Sequence, residues 1–456
     1  MSQLTVGVFN DSFPPTIDGV ANVTLNYARE IARLDGTPIV ATPWYPKVSD
    51  QYPFEVVRYP SAYVSGRLGY RAGYPFDPRI LYRLSKSNMD IIHTHCPFIS
   101  TVLARTLRFQ TSVPVVFTYH TKFDIDIDKV LALNPARNAS IKFLLNNIHA
   151  CDEVWTVSKG AGENLRSLGY TGDYCVMPNG TDFKRGKASE SDIASLRRQY
   201  ALPPELPVFL YVGRMMWYKG IRLTLDGLRI LKSLGQDFCM FFIGGGIDLP
   251  EIKEYAREAG LEPNCIFTGP LYDREILRTY FSMADLFLFP STYDTNGIVV
   301  NEAAACSCPS LLIAGSCAAE RVKDKETGLV IEEDPAALAS AILWGLENRD
   351  PLKKIGENAS RSVYLHWGDA VKAAYERYGT IVEGFTPGKD LNYPAYIFFE
   401  EVQHIKEDFA QKKASLKHYY AKKRKGLRAI PFKRVLPRKL MAFPLKEVLR
   451  TLGWRK

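Results

Sequence analysis

Two carboxylates, Asp294 and Glu302, stand eight positions apart across a strand-to-helix junction. A hydrophobic run at 286–289 leads into the loop Pro290-Ser-Thr-Tyr-Asp294-Thr-Asn-Gly297, and a helical pattern opens at Ile298. Such a junction aims backbone N–H groups and the positive end of a helix dipole at whatever lies above it, which favours an anion. Carboxylates repel phosphate but accept hydroxyl protons well. A ligand that suits both halves carries phosphates and hydroxyls together, as a nucleotide sugar does. A capped helix with an acid in its first turn is the plain alternative.

Two further loops carry compatible chemistry. Gly213-Arg214-Met-Met-Trp-Tyr-Lys219-Gly220 follows a strand-like run at 208–212. Two cations in one strand-to-helix loop can clamp a diphosphate and neutralise it without a metal, although a solvated loop reads the same way. Gly244-Gly-Gly246 follows the run 238–243, and glycines there let backbone approach a ligand, though turns use glycine in any case. All three features occur at the carboxyl end of a strand, and their order carries more than any one alone. His120 ends a Thr-Tyr strand and reads either as a site residue or as hydrogen-bonded structure. His93 and His95 are read as pointing to opposite faces of their strand, which excludes a metal pair, and no Asp-x-Asp stands out.

These loops need elements to hold them. Strand-like runs at 5–9, 39–42, 91–93, 115–119 and 153–157 alternate with helical stretches. The pattern repeats with strands at 208–212, 238–243 and 286–289, and helices near 221–234, 250–259, 273–283 and 298–306. Short apolar runs separated by helices predict an α/β protein with two doubly wound, Rossmann-like parallel sheets. The expected division is 1–185 for an acceptor-side domain, 186–206 for a linker and 207–365 for a donor domain. A crossover helix at 366–386 and a basic amphipathic helical extension at 387–456 complete it. Ligands bind such sheets at the carboxyl ends of the strands, so a cleft between the two domains is expected.

With 456 residues, 46% hydrophobic and 23% charged, the chain has the composition of a globular protein. No apolar stretch is long enough to span a bilayer, and no secretory leader is apparent at the start. Eight scattered cysteines without a Cys-x-x-Cys pair read as buried reduced thiols of a cytoplasmic protein. The net charge of +9 belongs to the tail, because 417–456 holds 14 Lys/Arg against Glu447 alone. Leu445, Val448, Leu449 and Leu452 form an apolar stripe there, ending at Trp454. That pattern suits a helix lying on an anionic membrane surface. Nucleic-acid binding, disorder and packing on the first domain are the alternatives, and no nucleic-acid fold accompanies the tail.

Taken in order, these residues resemble glycosyltransferase family four, a retaining family with the GT-B fold. The match runs through Gly213-Arg214, Lys219-Gly220, Gly244-Gly-Gly246, Asp294-x7-Glu302, Glu320 and Thr327-Gly328. The first half agrees through Asn10-Asp-Ser-Phe-Pro-Pro-Thr-Ile-Asp-Gly19-Val20, His93-Thr-His95, Thr118-Tyr-His120-Thr121, Val157-Ser158 and Pro178-Asn179-Gly180. The resemblance implies that Arg214 and Lys219 hold the donor diphosphate and that Glu302 takes the ribose hydroxyls. It places Asp294, where the family usually has Glu, at the donor sugar, and His120 near the sugar's C6 side. Gly19 and Gly245 would give backbone space, the backbone of Asn296-Gly297-Ile298 would touch sugar and phosphate, and Glu320 would lie near the cleft.

The implied activity is metal-independent, cofactor-free, retaining hexosyl transfer from a UDP-sugar, glucose or galactose first. The acceptor would be a membrane lipid such as diacylglycerol, with the enzyme peripheral on the inner face of the cell membrane. The aromatic segment 59–74 is placed to help form an acceptor mouth. A GDP-mannose-dependent enzyme or a polysaccharide glycosyltransferase is the alternative, and a nucleotide-binding protein without transfer activity is the reading from another class.

Overall fold

The computed structural model describes residues 3–16, 18–63, 71–123 and 134–387. The basic segment 417–456 therefore lies outside the described residues, as does the middle of the aromatic segment 59–74.

Strands β1 (Thr5–Phe9), β2 (Thr37–Pro43), β3 (Glu55–Tyr59), β4 (Ser61–Tyr63) and β5 (Arg71–Gly73) come first. Next are β6 (Ile91–Thr94), β7 (Val115–Tyr119), β8 (Glu153–Thr156) and β9 (Cys175–Val176). The second half supplies β10 (Val208–Val212), β11 (Cys239–Ile243), β12 (Cys265–Gly269), β13 (Leu286–Leu288), β14 (Ser310–Ile313) and β15 (Leu329–Ile331). One sheet has the order β3-β2-β1-β6-β7-β8-β9 and the other β12-β11-β10-β13-β14-β15, with β4 and β5 forming a separate hairpin. Every pairing in the two large sheets is parallel.

The central strands explain themselves. Val115-Val-Phe-Thr-Tyr119 and Val208-Phe-Leu-Tyr-Val212 are buried throughout, as parallel strands covered by helices on both faces must be. In each sheet the winding starts at a central strand and reverses beside it, between β1 and β6 and between β10 and β13. The crevice at such a reversal is where open α/β sheets receive ligands. It falls at Asn10 and His95 in one domain, and at Gly213 and Pro290 in the other.

The strands that went unread in the sequence are mostly marginal. β3 has only two buried residues, most of β12 is half-buried, β9 has two residues, and β14 is a four-residue run that follows Pro309. The stretch read as a polar linker contains a helix, Glu190–Gln199, capped by the Ser189 hydroxyl on the Asp192 amide at 3.1 Å. Its acids sit in the first turn and its arginines in the last, as the helix dipole favours. It folds onto the second domain, where the Tyr200 and Tyr280 hydroxyls meet at 2.7 Å.

After the second sheet the chain returns. The helix Trp367–Gly384 packs into the core of the first domain through Trp367, Val371, Ala374, Tyr375 and Tyr378. Tyr375 accepts a hydrogen bond from the Leu4 amide at 2.7 Å, and Arg377 pairs with Glu153 at 2.7 Å. The crossing is pinned where Thr181 N donates to Leu365 O and Trp367 N donates to Thr181 O. Gly180 makes that approach possible, because a Cβ there would stand 2.6 Å from the Trp367 nitrogen. Gly180→Ala should therefore cost about 1–3 kcal/mol of unfolding free energy by urea titration. Gly379→Ala, in the final helix with nothing within 4 Å of its Cβ, should instead stabilise by up to about 1 kcal/mol. Equal effects would mean that the crossing is not tightly packed.

Candidate active site

The loop after β13 brings the site together. Asp294 has both carboxylate oxygens engaged: Oδ1 accepts from Lys219 Nζ at 2.5 Å and Oδ2 accepts from the Ser291 hydroxyl at 2.6 Å. The Lys219 ammonium also lies over the rings of Tyr218 and Tyr293, 5.7 and 5.2 Å from their centroids. Lys219 ends a short 3₁₀ turn, Trp217–Lys219, and Gly220 follows with φ +77. A Cβ on Gly220 would fall 2.0 Å from Pro290 O, so only glycine lets the two loops touch. Arg214 stands exposed on the same loop and makes no ion pair among the described residues.

The glycine triplet behaves differently from its sequence reading. Gly244 has φ +142 and its Cβ would fall 1.9 Å from Gly213 O, while one on Gly246 would fall 2.2 Å from Met215 O. Both glycines let the loop after β11 close onto the loop after β10. Gly245 alone is open, with no atom nearer than 3.8 Å to its Cβ position. Gly19, the first residue of the helix Gly19–Arg33, is also open, with nothing within 4 Å.

Gly297, at φ +60, leads into the helix Ile298–Ala305, which has no side chain capping its first turn. Asn296 Nδ2 is buried without a hydrogen-bond partner among the described residues. Glu302, one turn into the helix, is 5% exposed, and its Oε1 accepts from Arg274 Nη2 at 2.7 Å. Burial raises its carboxyl above the usual range, and the Arg274 charge opposes that rise. Arg274 was not singled out from the sequence. It lies 28 residues from Glu302, beyond any local pattern.

The first domain closes over this loop. Thr295 donates its hydroxyl to the His120 carbonyl at 2.6 Å, and Lys122 Nζ reaches Thr292 O at 3.2 Å. Glu320 accepts from the Lys159 and Gly160 amides at 2.7 and 2.5 Å, so it joins the domains at the first turn of the helix Lys159–Ser167.

His93 and His95 lie on one face, not two. Their ring centroids are 4.0 Å apart, because residues two apart on a strand share a face. His95 Nδ1 meets His120 Nε2 at 2.9 Å, while His93 bonds Tyr378 OH at 2.5 Å and Thr118 Oγ1 at 2.6 Å. No group of three or more metal-ligating side chains is arranged to hold an ion among the described residues. Burial holds all three imidazoles neutral, lowering His120 to about 3 and the other two well below the ordinary value. His120 Nδ1 has no hydrogen-bond partner among the described residues.

Two parallel-sheet domains that meet at their carboxyl edges around this cation–carboxylate cluster define a glycosyltransferase of the GT-B type. The glycosyl transferases group 1 model matches residues 192–362, and the glycosyltransferase family 4 model matches 17–185. The chain belongs to glycosyltransferase family four. It is 24% identical to an alpha-monoglucosyldiacylglycerol synthase of Streptococcus pneumoniae, over 75% of this chain and 78% of the relative. It is 26% identical to a GDP-mannose-dependent alpha-mannosyltransferase of Corynebacterium glutamicum, over 76% and 81%. The structure of Anabaena HepE with UDP and glucose superposes with a TM-score of 0.65 at 17% identity, covering 83% of this chain and all of that one.

The histidines generate a pH prediction. The unfolded chain binds protons at these three groups below about pH 6.5 and the folded one does not. Stability present above that pH should therefore be lost as pH falls, by up to about 1.4 kcal/mol per unit for each group. Urea unfolding between about pH 7 and 5 reads the slope, and a flat profile would mean that the imidazoles are not held neutral.

Proposed function

We propose that this enzyme moves a hexose, with retention of configuration, from a UDP-sugar to a membrane glycerolipid. UDP-glucose or UDP-galactose is the donor, and diacylglycerol or a glycosyl-diacylglycerol is the acceptor. The observation that carries the reading is the Lys219–Asp294 pair, set beside exposed Arg214 and above an uncapped helix N-terminus. An ammonium has three donors, so Lys219 can keep one on Asp294 and turn two toward phosphate oxygens. Asp294 is then positioned to accept from sugar hydroxyls, its carboxylate oriented by Lys219 and Ser291.

In this reading the bond from the sugar's C1 to the diphosphate oxygen breaks as the acceptor oxygen bonds C1 on the same face. The acceptor's proton passes to the departing phosphate oxygen. Arg214, Lys219 and the N–H groups at Gly297 and Ile298 take up the growing negative charge, so electrostatic stabilisation is the main contribution of the protein. Positioning comes second. The enzyme needs neither a metal nor another cofactor.

A lipid acceptor is supported by the S. pneumoniae relative and by the charge and apolar stripe of 417–456. The protein then works at the inner face of the membrane, as a peripheral enzyme, and no helix among the described residues is long and apolar enough to cross it. The C. glutamicum relative favours a second reading, with GDP-mannose as donor.

Labelled UDP-glucose, UDP-galactose and GDP-mannose, each offered with diacylglycerol in anionic mixed micelles containing EDTA, test these readings together. A labelled glycolipid of α configuration from an α-linked UDP-sugar is expected. Product from GDP-mannose alone would select the second reading, and loss of transfer in EDTA would reject metal independence. Lys219→Ala should lower kcat by at least about a hundredfold in detergent, whereas Lys433→Ala should change it little. Equal losses would remove the diphosphate role. Deleting 417–456 should release the enzyme from anionic vesicles in a sedimentation assay, and unchanged binding would remove the membrane role of the tail.

A further inference from the structure

Arg274 opens the helix Arg274–Met283, whose N-cap is Asp273. Its guanidinium touches two carboxylates at once. Nη2 bonds Glu302 Oε1 at 2.7 Å and also bonds Asp182, while Nε reaches Asp182 Oδ2 at 3.2 Å. Its flat face rests over the ring of Phe183, 4.3 Å from the centroid. Asp182 and Phe183 belong to the chain segment joining the domains. The same segment accepts a hydrogen bond from Asn301 Nδ2 at Asn179 O, 3.0 Å away. The donor-side helix is thus clasped by the interdomain segment at Asn301 and, through Arg274, at Glu302.

Glu302 needs that clasp. It is buried, and its Oε2 makes no hydrogen bond among the described residues. A buried carboxylate without a counter-ion takes up a proton, and one oxygen then becomes a donor. The charged and titratable groups facing Glu302 are Arg274, Asp182 and the Cys306 thiol. Asp182 pushes Glu302 toward protonation, and burial pushes the thiol up to about 12, leaving it neutral. Arg274 is the cation that keeps Glu302 ionised.

We propose that Arg274 is a positioning residue for the donor nucleotide, holding Glu302 by one oxygen so that the other accepts from the ribose hydroxyls. This rests on the reading of the cleft as a nucleoside-diphosphate-sugar site. Arg274 does not touch the reacting atoms. It sets the charge and the rotamer of the residue that reads the ribose, and it couples that residue to the segment between the domains. A planar guanidinium can serve both carboxylates while stacked on Phe183, which a lysine cannot reproduce in full.

The test compares UDP with 2′,3′-dideoxy-UDP by calorimetry, from about pH 6 to about pH 9, on the full chain and on two variants. The ratio of the two dissociation constants isolates the ribose hydroxyls and cancels the titration of the phosphates. In the unaltered protein the ratio should be flat with pH. In Arg274→Met it should shrink roughly tenfold toward the acid end as Glu302 protonates, with dideoxy-UDP binding little changed. Arg274→Lys should restore the flat profile at a smaller ratio. If Arg274→Met weakens both nucleotides equally at every pH, the proposal is wrong and Arg274 acts on the base, the phosphates or the fold.

Failure of the unaltered protein to bind UDP or GDP would reject the nucleotide reading of the cleft, and the clasp is then judged without ligand. A carboxyl raised above its unfolded value contributes stability at low pH that is lost as pH rises through the folded value. Arg274→Met should therefore lose unfolding free energy relative to the unaltered chain between about pH 5 and pH 8, and adding Glu302→Gln should abolish that slope. Absence of the slope overturns the pairing as well.

Discussion

Thr295 gives its hydroxyl proton to the main-chain carbonyl of His120, and that 2.6 Å bond ties the loop bearing Asp294 to a strand end of the other domain. The arrangement of the cleft follows from this meeting of carboxyl edges. A parallel sheet leaves its strand ends and its helix N-termini on one side, so each domain alone presents an electropositive crevice. Brought together, the two crevices form one chamber whose cations and backbone amides suit the diphosphate of the proposed donor. The Glu320 carboxylate reinforces the closure by capping the helix Lys159–Ser167 from across the cleft.

The chamber manages its charges in pairs. Asp294 is held by Lys219 and Ser291, and Glu302 by Arg274, so each acid keeps an oxygen or a rotamer defined by a neighbour. The histidines under the first domain's edge follow the opposite strategy. His93, His95 and His120 are buried, bonded to each other or to hydroxyls, and neutral. Neutral imidazoles add no positive charge to that edge of the cleft. The final helix contributes Tyr378 to this network, so the last element of the described chain steadies the floor of the first domain.

How much of this was legible depended on the range of the interaction. The strand runs 115–119 and 208–212 and the helix starts after Gly220 and Gly297 could be read, because their patterns repeat over a few residues. The two acids and two cations of the second domain could be located for the same reason, since Arg214, Lys219 and Asp294 lie between a strand's end and the next α-helix and Glu302 lies one turn into the helix Ile298–Ala305. The segment 186–206, read as a linker, also carries a helix that went unread, although Ser189, Glu190 and Asp192 are a local helix signal; its polar exposed face masked it. The pairing of His93 with His95 was also misread, by a wrong use of the strand's period of two.

By itself the sequence determined the two alternating α/β halves, the identity of the chemistry-bearing loops and the concentration of basic charge at 417–456, because these depend on local period, turn chemistry and composition. Only the tertiary structure decided that Lys219 meets Asp294 across 75 residues and that Arg274 holds Glu302. It likewise decided that Gly244 and Gly246 pack loop on loop, and that Tyr378 bonds His93 across 285 residues. Those contacts are made by side chains and strand ends that only the winding of the two sheets brings together. No local pattern encodes which distant partner will fill a buried hydrogen bond, so the fold has to be formed before that partner is determined.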